Sequence, residues 1–155
     1  TVNVLRRLER ACEAVSTANE ALARGCSSPR LLQALADAVV YCEPINCQRA
    51  CEAALAATEG SKNDWSVWCP LARARILCDP LGAAEDPIAR ALALAPNEGG
   101  PVILLSRLRE LQGNRADALR CLTDFLSQHP GNTDVIRRKA ELEPTAGAVS
   151  IEPKH

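Results

Sequence analysis

Residues 96–130 read PNEGGPVILLSRLRELQGNRADALRCLTDFLSQHP, and this stretch decides the fold. Val102, Leu105 and Leu108 recur at helical spacing with Leu104 and Leu111 beside them, which predicts a helix over 99–111. Gly113-Asn114 breaks the pattern as a short turn. Ala118, Leu119, Leu122, Phe125 and Leu126 then share one stripe over 115–128, and Pro130-Gly131 stops this second helix. The unit is two antiparallel helices joined by a tight turn.

Working outward, the same marks return at one spacing. Pro96 and Pro130 stand 34 residues apart. Ala118, Ala84 and Ala50 follow one another at that step, as do the small residues Ser106, Ala72 and Ala38. Leu105 maps to Leu71, Leu122 to Ile88 and Ala54, and Ala91 to Ala57, with Phe125 at the next place in that series. A fixed period of this length is the mark of a repeat architecture. A lone helix pair cannot bury its apolar stripe, so neighbouring pairs must stack and share a core.

On these residues the chain resembles the tetratricopeptide repeat family. The matching residues are Ala38, Ala50 and Ala57 in a first unit; Trp68, Leu71, Ala72, Ala84, Ala91 and Pro96 in a second; Leu105, Ala118 and Pro130 in a third. Tyr41 fits the family's aromatic on the first helix, whereas Arg75 and Arg109, its equivalents, depart from it. Phe125 fills a usually small site, and the first unit ends at Glu59-Gly60 without the proline. The predicted fold is all-α: a right-handed α-solenoid of about three 34-residue helix-turn-helix repeats with flanking helices. The repeats are assigned to 31–132, as units 31–64, 65–98 and 99–132. Residues 1–30 are an N-terminal helix serving as a partial repeat or cap. Val4, Leu5, Leu8, Ala11, Val15, Ala18 and Leu22 give one long helix there, with Thr17 and Glu20 as an alternative capping box for a second. Residues 133–142 are a C-terminal capping helix, and 143–155 a flexible tail.

The resemblance implies a concave groove lined by the first helix of each unit. Mapped onto this sequence, the groove positions are Leu32, Leu35 and Val39; Ser66, Cys69, Arg73 and Leu77; and Ile103, Arg107 and Leu111. Arg73 and Arg107 occupy one place in successive units. The mapping sets them side by side, able to take a carboxylate bidentately or else answered by Glu110 or Asp79. A subgroup of the family clamps the carboxylate of chaperone tails with Lys and Asn. Those positions here hold Leu35, Val39, Cys69, Arg73 and Ile103, so that clamp is absent. An amphipathic helix or an extended apolar peptide suits this groove better.

Eight cysteines in 155 residues are many. An even number at this density points to an oxidising, extracytoplasmic compartment (periplasmic, secreted or lumenal), with the cytoplasm as the alternative. Cys42, Cys47, Cys51 and Cys78 fall near the turn edge of the first two units. They suit two disulfides, Cys42 with Cys47 or Cys51 and Cys78 with the other. A four-thiolate zinc site and free thiols are the alternatives.

Composition removes other classes. The net charge is −1, too little positive excess to hold a phosphate backbone, so nucleic acid is not expected. No apolar stretch reaches spanning length, so membrane insertion is not expected. Only two histidines are present, His129 and His155, neither set beside a cysteine, and no phosphate-binding glycine loop occurs. No catalysis and no cofactor are expected. The absence of a starting Met suggests a fragment or processed form. The expected function is a non-catalytic interaction scaffold, stapled by disulfides, that takes a peptide or protein surface in its groove. The alternatives are a metal-binding or redox-responsive protein built on the cysteine cluster, and a structural spacer in a larger assembly.

Overall fold

The computed structural model describes residues 2–26, 28–41, 47–78 and 80–143. Among them the chain forms α1 (Val2–Ala23), α2 (Pro29–Tyr41), α3 (Cys47–Gly60), α4 (Trp65–Cys78), α5 (Glu85–Leu94), α6 (Gly99–Leu111), α7 (Arg115–Gln128) and α8 (Thr133–Leu142), with a 3-10 turn over Leu81–Ala84 before α5. The sequence period is the period of the helix starts. Trp65, Gly99 and Thr133 open α4, α6 and α8 at 34-residue steps. Cys47 and Arg115 open α3 and α7, and Leu81 opens the 3-10 turn that leads into α5, at the same step. The tail, all but Glu143, lies outside the described residues, as do Cys42, Asp79 and the Tyr41 side chain.

Local chemistry sets the boundaries. The Ser28 hydroxyl accepts from the Leu31 amide, and the Asp64 carboxylate from the Ser66 amide. Asn114 and Asn132 accept from the amides of Asp117 and Val135, so orphan donors at these helix starts are satisfied by short polar side chains. α1 and α6 close the same way. Gly25 and Gly113 adopt φ of 85° and 81°, and each sits in a doubly bonded turn. In the second, Gly113 N donates to the Glu110 carbonyl and Asn114 N to that of Arg109. α1 runs unbroken past Thr17, whose hydroxyl donates back to the Glu13 carbonyl instead of opening a new helix.

Pro70 and Pro87 sit inside helices, and the carbonyl that each orphans finds a side chain. Pro70 in α4 has no N–H to give the Ser66 carbonyl, and Gln33 Nε2 on α2 donates to that carbonyl at 3.1 Å. Pro87 in α5 leaves the Ala83 carbonyl without its helical donor, and Arg75 Nη1 on α4 donates there at 2.9 Å. Arg75 and Arg109 thus replace a family aromatic with inter-helix bonds. Arg109 on α6 reaches Glu85 on α5 at 2.9 Å.

Packing makes an α-solenoid. α2, α4, α6 and α8 touch in succession, with α1 against α2. α3, α5 and α7 touch the helices before and after them but not one another. The first row is therefore the tighter one, and the stack is concave on that side. Where first and second helices meet, the small residues Ala38, Ala72, Ser106, Ala50, Ala84 and Ala118 are all buried. Two adjoining buried clusters share Leu92 and meet at α6. α8 packs against α6 at Gly99, where an added Cβ would lie 2.8 Å from Val135 Cγ2.

Candidate functional site

The concave row has two unlike halves. Between α2 and α4 its polar groups are used up internally. Besides the Gln33–Ser66 bond, Arg73 Nη1 pairs with Asp37 Oδ1. Burial pushes the Asp37 carboxyl above its ordinary range, with Arg73 opposing that shift. Cys69 is buried beside them, and burial pushes its thiol up to about 11, so it stays protonated. Leu35 and Val39, mapped to the groove, are core residues, and Leu35 also lines the smaller cavity below. They are 2% and 3% exposed and belong to the core, which Val15, Ala18 and Leu22 of α1 also join. Leu32 is half-buried and lines a smaller cavity of about 220 Å³ with Leu22, Ala53 and Arg49, whose guanidinium bonds Asn19.

Between α4, α6 and α8 the row opens. A cavity of about 430 Å³ is lined by Trp65 from α4, by Glu98, Gly99, Gly100, Ile103 and Arg107 at α6, and by Asn132, Asp134, Arg137, Arg138 and Glu141 at α8. Gly100 forms its floor against the Trp65 ring, which an added Cβ would meet at 3.5 Å. Arg138 Nη2 bonds Glu110 at 2.6 Å and its Nη1 bonds Glu141 at 3.2 Å. Its side chain is 9% exposed, and its buried Nε has no acceptor among the described residues. Arg137 pairs with Asp134 at 3.2 Å, both largely exposed. Arg107 is exposed and makes no ion pair among the described residues.

The expected Arg73–Arg107 pair does not share this cavity, because Arg73 is held by Asp37 while Arg107 faces Arg137 and Arg138 across it. Glu110, named as a partner for these arginines, serves Arg138 instead. Leu77 and Leu111 end α4 and α6 one repeat apart, 51% and 55% exposed. Trp65, Arg137 and Arg138 were missed at the sequence level. Arg137 carried a signal: it stands one repeat beyond Ile103, on the series Cys69–Ile103–Arg137.

Of the cysteine cluster, the Sγ atoms of Cys47 and Cys78 lie 2.20 Å apart, at disulfide distance, joining the start of α3 to the end of α4. Cys51, one turn after Cys47, is half-buried. Cys42 lies outside the described residues. Among the described residues no three His, Cys, Asp or Glu side chains are grouped to hold a metal ion. Burial also raises the Cys121 thiol, and His129 stacks on Phe125 with ring centroids 4.5 Å apart. No described helix is long and apolar enough to cross a membrane.

No protein-family model matches the chain, and no curated protein matches it in sequence. Among solved structures it is similar to a thermophilic TPR protein of Thermus thermophilus. The TM-score is 0.76 at 19% identity, over 87% of this chain and 74% of that one. The chain has the tetratricopeptide-like fold.

Proposed function

We propose that this protein is a non-catalytic interaction scaffold that receives a peptide or protein surface at the C-terminal half of its concave face. A fold of this kind supplies a rigid curved surface for protein partners. The observation that carries the reading is the cavity between α4, α6 and α8, where Trp65 and Ile103 offer apolar area and Arg107 an uncommitted cation. Leu77 and Leu111, at the far ends of α4 and α6, expose further apolar area. Convergent polar groups around an apolar floor are the usual make-up of a binding site.

The test uses the full chain and a displayed library of random peptides. Selected peptides should lose binding when Gly100→Leu fills the cavity floor, while Gly100→Ala, whose Cβ makes only an ordinary contact with Trp65, keeps it. No selected peptide, or peptides indifferent to the plug, would overturn the reading.

The Cys47–Cys78 pair supports a stapled scaffold working in an oxidising, extracytoplasmic compartment. Intact mass after alkylation of the denatured, unreduced protein checks this. No more than six of the eight cysteines should be modified. Eight modified thiols would remove both the staple and the compartment.

A further inference from the structure

We infer that the cavity between α4, α6 and α8 reads one kind of sequence: an extended segment of a partner carrying a large apolar residue and, two positions away, an Asp or Glu whose side-chain carboxylate meets Arg107. This rests on the groove reading above and gives it a chemistry.

The charges in the cavity wall sort themselves. Arg137 is engaged by Asp134, and Arg138 by Glu110 and Glu141. Arg107 and Glu98 remain without ion-pair partners among the described residues. They stand at opposite ends of the cavity's α6 wall, about 13 Å apart along the helix axis at 1.5 Å per residue. An incoming carboxylate is attracted at the Arg107 end and repelled at the Glu98 end.

Spacing fixes the pattern. Ile103 lies one turn before Arg107 on α6, about 6 Å along the axis. Alternate side chains of an extended peptide share a face and repeat at about 6.8 Å. In a peptide that runs along α6, a large apolar side chain seated on Trp65, Gly100 and Ile103 brings its second neighbour within reach of the Arg107 side chain. Glu98 opposes a second acid at the far end of the wall.

The experiment displays random nine-residue peptides with flexible linkers at both ends, so that no chain terminus can serve as the acid. Selected sequences are expected to be rich in Asp or Glu two positions from Leu, Ile, Phe or Trp. A synthetic selected peptide, capped at both ends, should weaken about tenfold or more when its acid becomes the amide. Arg107→Glu should lose the acidic peptide and bind its acid-to-Lys analogue better than the wild type does, a reversal that a structural role for Arg107 would not produce. Peptides that plug the cavity but show no acid preference, or no charge-reversal recovery, would overturn this inference and leave the groove reading standing. So would binding that appears only with free C-terminal carboxylates. If no peptide is selected, both fall.

Discussion

The two halves of the concave face use similar residues to opposite ends. At α2–α4, Arg73 meets Asp37 from the neighbouring helix, Gln33 covers the carbonyl freed by Pro70, and the row is sealed. One repeat on, Arg107 occupies the place of Arg73 but has no Asp37 beside it, and Gly100 leaves space under Trp65. The sealed half also holds Cys47 and Cys78 at disulfide distance. A repeat position gives a side chain its direction, and its neighbours decide whether it holds the stack together or faces a ligand.

The largest expected effect tests the sealed half. Replacing Cys47 and Cys78 by Ser should cost about 2–4 kcal/mol of unfolding free energy, because a bond between them would close a chain segment of 31 residues in the unfolded state. Denaturant titration without reductant measures it, and reductant should reproduce the loss in the wild type. Unchanged stability would place the strength of that half in its packing alone. In the open half, Gly99→Ala forces a Cβ against buried Val135 and should cost about 1–3 kcal/mol while displacing α8 from α6. A neutral result would mean that α8 moves freely and the cavity wall is not fixed.

Ser106→Ala should act the other way. Ser106 replaces the Ala found at 38 and 72, and its buried hydroxyl has no partner among the described residues. Its removal should stabilise by about 1 kcal/mol in thermal or denaturant unfolding. Destabilisation would mean that the hydroxyl has an acceptor.

The smallest effects are in the pH dependence, and they have opposite signs. Asp37 in the sealed half has a raised folded value, so its contribution to stability falls as pH rises from the ordinary Asp range through that value. Hydrogen bonds from Gln112 and Arg109 hold Glu85 below its ordinary value. Its contribution is present above the ordinary Glu range and lost as pH falls through the lowered value. Asp37→Asn should remove the first slope and Glu85→Gln the second. Slopes changing in the same direction in unfolding measured from pH 3 to 7 would contradict these environments.

Much of this was legible in the sequence because repetition is a property of spacing. The 34-residue step located the starts of α4, α6 and α8, and the small residues at the helix joints are buried in every unit. What spacing could not supply was the neighbour across the groove. Leu35 and Val39 have groove register, yet they are buried in a core that side chains of α1 also enter, and α1 lies outside the repeat series. Arg73 was grouped with Arg107 because register is the same, while Asp37, the group that captures it, lies on α2. Trp65 has no aromatic counterpart at Gly99 or Thr133, and a series of three unlike residues offers no pattern. The 3-10 turn at Leu81–Ala84 before α5 was equally hidden from periodicity.

The most direct test of an open C-terminal half and a sealed N-terminal half uses the chain's two tryptophans. Trp65 lines the cavity, whereas Trp68 is buried, donates its indole N–H to the Lys62 carbonyl at 3.0 Å, and lies beneath Arg90. Their two indole signals can be followed in a 15N-edited NMR spectrum as a selected peptide is added. The expected result is a progressive shift of the Trp65 indole together with the amides of α6 and α8, with Trp68 and the α2 amides still. A shift centred on α2, or on the outer helices α5 and α7 with Trp65 unmoved, would contradict the account.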